Sequence, residues 1–322
     1  MTLAGIVLAG GAGSRMRPLT DDCPKPLLPL GPEPLIGYQL RRLAAAGVRD
    51  VVISTGYLAG HFDAVLGEGA RWGLRLRHCV EDEPLGTGGA LRASIEHLPD
   101  ADRVVVLNGD LLSSHDLSGQ LAAARSAQVC LHVRRVPDVA PYGQVTCDDD
   151  RRVRGFAEKS GTGPGLANAG TYVVDADLLR SLPVGRSSWE RDVLPTLIAD
   201  GVVVHAWTGD GYFRDVGSPA AYRLASVDAV TGGLPGAIVD HHDVYVAPEA
   251  YVDPAARLTG GCSVHAGAAV DAGAVLEGSV VLPGARVGAD VRLIRCVVAA
   301  GARVTGGTDW ADAVLTAQPT GQ

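Results

Sequence analysis

The chain has 322 residues, of which 47% are hydrophobic and 20% charged, a composition typical of a soluble globular protein with room for two domains. Its formal net charge of -8 argues against nonspecific nucleic-acid binding, which needs a basic surface. No apolar run reaches the roughly 18 residues of a membrane span. We therefore expect neither a nucleic-acid partner nor a membrane.

The N-terminal sequence MTLAGIVLAGGAG lacks the basic segment of a signal peptide and passes directly into a glycine turn. We interpret it as a buried first strand. The six cysteines lie far apart, without a C-x-x-C pair or a cluster with histidine, which argues against zinc and against a disulfide framework. These features predict a cytoplasmic protein with reduced core cysteines, namely Cys23, Cys79, Cys130, Cys147, Cys262 and Cys296.

Short apolar runs alternate with helical patterns from Gly5 to about Arg223. This alternation predicts an α/β fold, a Rossmann-like domain with a mostly parallel sheet and crossover helices. Ligands of such sheets bind at the carboxyl ends of the strands. The predicted strands are GIVLAG, DVVIST, RVVVLNGD, VCLHVR, GTYVVD and VVVHAW, and the predicted helices cover residues 35–46, 88–97 and 118–126.

A glycine-rich loop, within LAGGAGSRMRPLTDDCPKPLLPL at residues 8–30, follows the first strand. Glycines at this place allow a sharp turn that aims several N–H groups at one anion, and Arg15 and Lys25 add positive charge. This pattern indicates polyphosphate binding. Two common nucleotide motifs do not fit, because residue 16 is Met where a dinucleotide fingerprint starting at Gly11 needs glycine, and no GK[ST] exists for a P-loop.

The pattern G-G-x-G-[ST]-R-x-x-P-L-T followed by P-K-P-L-x-P resembles the signature of sugar-1-phosphate nucleotidyltransferases. Lys25 and Lys159 are the two lysines of a chain with 26 arginines. Since lysine is a compact point charge and arginine a planar fork, we expect a specific role for each. The resemblance implies that the triphosphate of a nucleotide is held by Leu8, Ala9, Gly10, Gly11, Gly13, Ser14, Arg15 and Lys25.

A second segment, EDEPLGTGGALRASI at residues 81–95, would by itself be an ordinary helix cap. In the family that it resembles, the matching loop lies beside the nucleotide base. This implies base-side contacts from Pro84, Gly86, Thr87 and Gly88. The form LGTGGA is closer to mannose- and heptose-1-phosphate guanylyltransferases than to thymidylyltransferases, which favours GTP over dTTP, ATP and UTP.

The strand within VVVLNGDLL ends in a polar Asn-Gly-Asp, where Asn108 and Gly109 join the implied nucleotide contacts. Asp110 offers the hard oxygen that Mg²⁺ prefers, although a lone Asp after a strand is commonly a turn or cap residue. The segment FRDVGSP contributes Asp215, which matches the family's second metal carboxylate. The resemblance thus implies a Mg²⁺ site formed by Asp110 and Asp215.

Three later segments, PYGQV, GFAEKSG and NAGTYVV, resemble in order the family's sugar-binding segments. By this resemblance Glu158 accepts hydrogen bonds from sugar hydroxyls and Lys159 binds the sugar phosphate. Gly143 and Asn168 complete the pocket through a backbone N–H and a side-chain amide. The segment SWERDVLP also resembles one near the sugar site, but we assign no role to its Glu190.

After Gly232 the helical periodicity disappears, and valine or leucine recurs at every sixth position. This spacing predicts a left-handed parallel β-helix of hexapeptide repeats, with one aliphatic residue pointing inward at each turn. The expected domains are therefore residues 1–232, the catalytic domain, and 233–322, the β-helix, whose flat faces suit a homo-oligomer. The repeated positions are Val246, Val252, Leu258, Val264, Val270, Leu276 and Leu282, then, shifted by one, Val281, Val287, Leu293, Val298 and Val304.

The resemblance implies direct nucleotidyl transfer, in which the phosphate of a sugar 1-phosphate attacks the α-phosphorus of an NTP in line and pyrophosphate leaves. Catalysis would be positioning and charge neutralisation by Arg15, Lys25, Asp110 and Lys159. A GDP-sugar is the favoured product. Mannose 1-phosphate is the default acceptor, with a heptose 1-phosphate close behind and a cyclitol phosphate as a further alternative.

Two alternatives belong to other classes. A non-catalytic regulatory subunit would be expected to lose the phosphate and metal residues, which are present here. An acyltransferase active in the β-helix is favoured only by the repeat, and the one histidine inside it, His265, is expected at the surface. His241 and His242 are expected in a loop at the domain boundary.

Overall fold

The structure is a computed structural model that describes residues 2–237 and 243–316. Its chain divides into two compact units. The first unit comprises Met1–Gly11, Gln39–Leu111 and His115–Gly211, and the second comprises Ala12–Tyr38, Leu112–Ser114 and Tyr212–Gln322.

The first thirteen strands precede the repeat region. They are β1 (Leu3–Leu8), β2 (Pro29–Leu30), β3 (Glu33–Pro34), β4 (Asp50–Thr55), β5 (Arg75–Val80), β6 (Arg103–Asn108), β7 (Leu111–Ser113), β8 (Val129–Val136), β9 (Gly143–Cys147), β10 (Val153–Glu158), β11 (Gly165–Asp175), β12 (Val204–Thr208) and β13 (Phe213–Asp215). The α-helices are α1 (Leu35–Ala45), α2 (Gly60–Leu66), α3 (Gly86–Ile95), α4 (Leu117–Ala123), α5 (Ala176–Ser181), α6 (Leu194–Ala199) and α7 (Pro219–Thr231). A π-helical turn, Trp189–Val193, precedes α6.

The first unit is built on a nine-stranded sheet in the order β10-β9-β11-β6-β1-β4-β5, with β8 pairing with β11 and β12 pairing with β8. Its pairs β6-β1, β1-β4, β4-β5 and β8-β12 are parallel, whereas β11 runs antiparallel to β6, β8 and β9. All six predicted strands occur, and the α/β prediction is confirmed. The antiparallel section, with β9 and β10, is an addition that sequence patterning did not show.

The central strands form because their apolar runs are buried on both faces, as parallel strands covered by helices require. The middle of β1 and all but the first and last residues of β6 are buried. Gly5 belongs to this packing: a methyl group there would lie 3.0 Å from Leu43 Cδ1 of α1 and 3.2 Å from Val51 Cγ2 of β4. Glycine therefore lets helix α1 approach the sheet closely.

The second unit contains thirteen short strands in three parallel sheets. This is the arrangement of a parallel β-helix, and the prediction of a left-handed helix of hexapeptide repeats is confirmed. The strands are β14 (Val244–Val246), β15 (Tyr251–Val252), β16 (Arg257–Thr259), β17 (Cys262–Val264), β18 (Ala269–Val270), β19 (Val275–Glu277), β20 (Val280–Val281), β21 (Arg286–Val287), β22 (Arg292–Ile294), β23 (Val297–Val298), β24 (Arg303–Val304), β25 (Asp309–Ala311) and β26 (Val314–Leu315).

The pairing registers explain the one-residue shift in the repeat. Val246 pairs with Val264, 18 residues later, whereas Val264 pairs with Val281 and Val281 with Val298, each 17 residues later. Val281 thus occupies the inward position and Leu282, although buried, follows it. The shift arises because both later steps are one residue shorter than the first.

The inward positions are not equally covered. Val264, Val270, Leu276, Val281, Val287, Leu293 and Val298 are each 0% exposed. In the first coil, by contrast, Val246 is 41% exposed and Val252 and Leu258 are only partly buried. These first-coil residues keep the inward register, since they pair with Val264, Val270 and Leu276, and Val252 and Leu258 pack against the same apolar core. Their greater exposure follows from their place in an end coil, whose strands β14, β15 and β16 each have a single strand neighbour.

The second unit also contains the segment from Ala12 to Tyr38. Its side chains Met16 and Leu28 belong to the same apolar core as the β-helix interior. Helix α7 joins them, since it contacts both β2 and β17, and its Tyr222 hydroxyl donates to the carbonyl of Pro29. Loop segment, helix and repeat are therefore packed as one body.

The sequence predicts the positions of three histidines, His265 at the surface and His241 and His242 in a loop. His265 is 2% exposed, so the expectation of a surface position is wrong; it packs beside Tyr245, with ring centroids 5.7 Å apart, and burial lowers its pKa to about 4. His241 and His242 lie outside the described residues.

Within residues 2–237 and 243–316, none of the helices combines the length and apolarity that crossing a bilayer demands.

Candidate active site

In the first unit, the start of the glycine loop lies beside the ends of two neighbouring strands. The amide of Ala9 donates to Ser54 O at 2.8 Å, and the amide of Gly109 donates to Leu8 O at 2.9 Å. A methyl group on Gly109 would lie 2.9 Å from Leu8 O, so glycine permits this approach. The structure thus brings together the predicted nucleotide residues that follow β1 and β6.

Glu81 connects this edge to the predicted base loop. Its carboxylate accepts from Ser54 Oγ at 3.0 Å and from the amide of Leu85 at 2.9 Å. A methyl group on Gly10 would lie 3.2 Å from Glu81 Oε1, so the glycine loop passes directly over this carboxylate. Sequence reasoning missed Glu81, although it opens the EDEPLGTGG segment.

The base loop itself is held by Ser187. The amides of Gly88 and Gly89 donate to Ser187 O at 2.9 and 3.3 Å, and the amide of Ser187 donates to Leu85 O at 2.9 Å. A methyl group on Gly86, which has φ +70°, would lie 2.5 Å from Ser187 O. The glycines of this loop therefore allow close packing, and the Gly88 N–H is already used within the protein.

The side chain of Thr87 is also hydrogen-bonded within the protein. Its hydroxyl donates to Glu190 Oε2 at 2.7 Å and accepts from the amide of Trp189 at 2.8 Å. The other carboxylate oxygen of Glu190 accepts from Tyr172 at 3.3 Å, and the Tyr172 oxygen accepts from Asn168 Nδ2 at 2.7 Å. The structure hence links a predicted base-loop residue to a predicted sugar residue through Glu190, to which we assigned no role from the sequence although its segment resembles one near the sugar site.

The other predicted sugar residues form a second group on β9 and β10. Gly143 pairs with Glu158, and a methyl group on it would lie 2.8 Å from Glu158 Oε2. Lys159, at φ +50°, has its Nζ 3.5 Å from Glu158 Oε1 and keeps 54% of its side chain exposed. A carboxylate for hydroxyls and an ammonium for a phosphate thus lie side by side.

In the second unit, Gly13 has φ +60°, and its carbonyl accepts from Thr20 Oγ1 at 3.0 Å. A methyl group on Gly13 would lie 3.3 Å from the Lys25 Cβ. One on Gly217 would lie 3.1 Å from Asp215 Oδ1 and 3.3 Å from Arg15 Nη2. Arg15, predicted to bind triphosphate, and Asp215, predicted to bind metal, therefore face the same spot.

The predicted metal carboxylates belong to different units, Asp110 to the first and Asp215 to the second. Among the described residues, no group of three or more histidine, cysteine, aspartate or glutamate side chains is placed to hold a metal ion. Asn108 Oδ1, two residues before Asp110, is buried without a hydrogen-bond partner in the described structure. Hard oxygen donors of this kind fit a Mg²⁺ ion that takes most of its ligands from phosphates and water.

An α/β sheet with glycine turns at its strand ends is the arrangement of a nucleotide-binding protein. The model of the family described as Nucleotidyl transferase matches residues 4–231. The chain belongs to this family. Members of the family typically use a divalent metal ion.

Two curated relatives are named for one activity. A mannose-1-phosphate guanylyltransferase of Mycobacterium tuberculosis is 39% identical over 242 residues, which are 74% of this chain and 67% of that protein. A mannose-1-phosphate guanyltransferase of Aspergillus fumigatus is 32% identical over 225 residues, 67% of this chain and 61% of that protein. The matched part thus spans about two thirds of these relatives.

Solved structures share the fold of the matched part. HddC from Yersinia pseudotuberculosis, solved also as a complex with GMP-PN, aligns with a TM-score of 0.62 and 30% identity over 70% of this chain and 98% of that one. A putative glucose-1-phosphate thymidylyltransferase from Bacillus anthracis aligns with a TM-score of 0.63 and 25% identity, over 70% of this chain and 94% of that one.

Proposed function

We propose that this protein is a sugar-1-phosphate nucleotidyltransferase that makes an NDP-sugar and pyrophosphate, with GTP as the favoured nucleotide. The observation that carries the proposal is the meeting of three predicted nucleotide segments, after β1, after β6 and before α3, around Leu8 and Glu81. The family match from residue 4 to 231 and the guanylyltransferase names of both curated relatives support it.

The proposed reaction needs no covalent enzyme intermediate and no general base, because the attacking phosphate oxygen is already an anion. Arg15 and Lys25 bind the triphosphate, Lys159 aligns the sugar phosphate, and Glu158 accepts hydrogen bonds from the sugar hydroxyls. Asp110 and Asp215 are the proposed carboxylate ligands of Mg²⁺. When bound, that ion neutralises charge on the phosphates.

Guanine and mannose are the favoured choices within this proposal. The mycobacterial and fungal relatives are named for mannose 1-phosphate and a guanylyl group, and HddC was crystallised with GMP-PN. The LGTGGA form of the base loop agrees with this choice. A heptose 1-phosphate remains the second candidate acceptor.

We further propose a cytoplasmic homo-oligomer whose catalytic domain ends near residue 232 and whose β-helix follows. The family match ends at residue 231, and all six cysteines are unpaired, as in a reducing compartment. Exposed Tyr251 and Trp310 on the β-helix supply apolar area for a subunit contact. Size-exclusion chromatography with light scattering tests this, and a clean monomer would remove the oligomer.

The decisive experiment is a grid of GTP, dTTP, ATP and UTP against mannose, glucose and heptose 1-phosphates and a cyclitol phosphate, read by Mg²⁺-dependent pyrophosphate release. We expect the largest kcat/KM for GTP with mannose 1-phosphate. A different best pair corrects the base or the sugar. No pyrophosphate with any pair refutes the enzyme.

A further inference from the structure

Glu190 holds the centre of a continuous chain of hydrogen bonds in the first unit. The chain runs from Thr87 through Glu190 and Tyr172 to Asn168, whose Oδ1 accepts from the amide of Gly170 at 3.3 Å. Thr87 and Glu190 are 103 residues apart, and Glu190 and Tyr172 are 18 apart. The chain thus ties together three separate segments.

The charge of Glu190 fixes the direction of every bond in this chain. An ionised carboxylate only accepts, so the hydroxyls of Thr87 and Tyr172 must both spend their single proton on it. Their oxygens are then acceptors, for the Trp189 amide in one case and for Asn168 Nδ2 in the other. Glu190 therefore orients groups that it does not touch.

The last of these groups is the side-chain amide of Asn168. With Nδ2 turned to Tyr172 and Oδ1 turned to Gly170, the amide has one orientation, and one Nδ2 proton is left to donate to a ligand. Asn168 also lies where the pairing register of β11 with β8 shifts, and bulges of this kind re-aim side chains beside functional sites.

The glycine of this irregular stretch brings Asn168 close to the nucleotide residues. Gly170 has φ +62°, and a methyl group on it would lie 2.8 Å from Asn108 Nδ2 and would overlap the side chain of Leu111. A substituent on Gly170 would therefore displace Asn108. Gly170, whose backbone amide donates to Asn168 Oδ1, is therefore next to Asn108, a residue assigned to the nucleotide.

The side chains of this hydrogen-bond chain are largely shielded from water. Tyr172 and Trp189 are both 0% exposed and pack edge to face with ring centroids 5.7 Å apart, while Thr87, Glu190 and Asn168 are partly buried. Burial and the neighbouring Glu190 carboxylate raise the pKa of Tyr172 well above its usual value. The Tyr172 proton therefore stays in place as a donor at any physiological pH.

We propose that Glu190 is a positioning residue that couples the loop assigned to the base with the pocket assigned to the sugar phosphate. It holds Thr87 on one carboxylate oxygen and, through Tyr172, the amide of Asn168 on the other. This inference rests on the proposed function. It also changes the role of Thr87, whose hydroxyl proton goes to Glu190 and not to the nucleotide.

The sharpest variant is Glu190→Gln, which keeps the shape and replaces one accepting oxygen by a donating NH₂ group. One hydroxyl of the chain then loses the acceptor for its proton, and the fixed direction is lost. We expect KM for mannose 1-phosphate to rise about tenfold, as for a lost hydrogen bond to a charged group, with kcat within about threefold. Isothermal titration with GTP in the presence and absence of mannose 1-phosphate should show reduced coupling.

Thr87 supplies a second, independent test with its own conservative rescue. Thr87→Val removes the hydroxyl and should raise KM for mannose 1-phosphate about tenfold. Thr87→Ser, which keeps a hydroxyl, should bring this KM most of the way back to the wild-type value. Because both positions act through one chain, Thr87→Val combined with Glu190→Gln should be no worse than about twofold beyond either single variant. Additive effects overturn the coupling, and so does a Ser variant as poor as Val.

Asp192 is the control from the same turn, since its carboxylate accepts from the Ser188 amide at 2.7 Å and bonds to none of Thr87, Tyr172 and Asn168, although the Ser188 hydroxyl donates to Glu190 Oε2 at 3.4 Å. Asp192→Asn should lower the melting temperature slightly and leave both KM values unchanged. If Glu190→Gln behaves like this control in an active enzyme, the positioning role is refuted. If the wild type releases no pyrophosphate with any substrate pair, the proposed function fails instead.

Discussion

In the interior of the first unit, buried polar side chains bond to one another, as His115 does to Gln120. In the described β-helix the inward row is aliphatic, although Ser263, His265 and Ser279 are also buried there. Gln120, His115 and His132 are buried in the first unit, and Gln120 Nε2 donates to the carbonyls of both Cys130 and Thr171. The β-helix buries Val264, Val270 and their repeats, and its buried Ser279 hydroxyl bonds to backbone groups, namely the carbonyls of Glu277 and Leu293. Bonds between buried side chains thus orient specific groups in the sheet unit, whereas the aliphatic row of the repeat contributes apolar packing.

The largest effect should come from the end of β6. Asp110→Asn keeps the side-chain shape but removes the charge proposed to hold Mg²⁺. We expect kcat to fall about 1,000-fold, equivalent to ~4 kcal/mol, with an unchanged melting curve. Asp149→Asn, on an exposed turn, is the control that should retain full activity. Near-normal pyrophosphate release by the Asp110 variant would remove the metal assignment.

The second test truncates one inward aliphatic side chain of the β-helix. Leu276→Ala should destabilise the protein by about 3 kcal/mol because it leaves a cavity at a fully buried inward position. Leu258→Ala, at the position of the first coil that pairs with Leu276 and is only partly buried, should cost clearly less. Urea unfolding compares the two. Equal losses would contradict the unequal burial of the coils.

The third test uses the buried histidines of the sheet unit. The rings of His115 and His132 stack with centroids 3.6 Å apart, and Arg42 Nη2 lies 3.1 Å from His115 Nδ1. Burial, and next the neighbouring cations, lower the pKa of His115 to about 3, and burial lowers the pKa of His132 to about 4. Both rings are therefore neutral in the folded protein at neutral pH.

The sign of the pH effect follows from these values. The unfolded chain takes up protons on both rings below about pH 6.5 while the folded chain does not, so stability falls as pH drops from about 6.5 toward 4. We expect a loss of about 2 kcal/mol per ring by pH 5, or about 4 kcal/mol for the two rings together. His132→Gln should flatten this slope, and His97→Gln, on the surface, should not. An unchanged slope in the His132 variant would refute the assignment.

The smallest expected effect concerns the identity of one cation. Lys25→Arg preserves charge but replaces a compact ammonium by a planar fork beside Gly13, so kcat/KM should fall about tenfold. The reverse exchange on the same segment, Arg17→Lys, should be silent because Arg17 is 58% exposed and pairs only with Asp21 among the described salt bridges. Wild-type kinetics for Lys25→Arg would show that lysine has no special role.

The sequence predicted the strongly apolar elements and the repeat, because both have a period that side-chain burial dictates. It did not predict β5, whose sequence RLRHCV alternates exposed arginines with buried Leu76 and Cys79 at the edge of the sheet. Strands β9 and β10 were missed for a similar reason, since their residues are only partly buried. Half-exposed strands resemble polar loops until their partners are known.

The candidate site shows the same limit. The glycine loops were found because a left-handed or crowded backbone position demands glycine, as at Gly13 and Gly86. Glu81 and Glu190 were not found, because each acts only through partners that are distant along the chain or supplied by a backbone amide. A lone glutamate carries no local pattern that distinguishes it from a solvated one.

The constant spacing of the later coils has a consequence for how this chain can change in length. Val264, Val281 and Val298 stand in one row at intervals of 17 residues, and each coil pairs only with the coils on either side. A duplicated coil would offer the same strand edges to the coils on both sides and would keep the pairing register of every existing strand pair. The C-terminal part is thus extensible in whole-coil steps. A difference of one residue in coil length is also accommodated, because the 18-residue step from Val246 to Val264 and the 17-residue step from Val264 to Val281 both keep valine paired with valine.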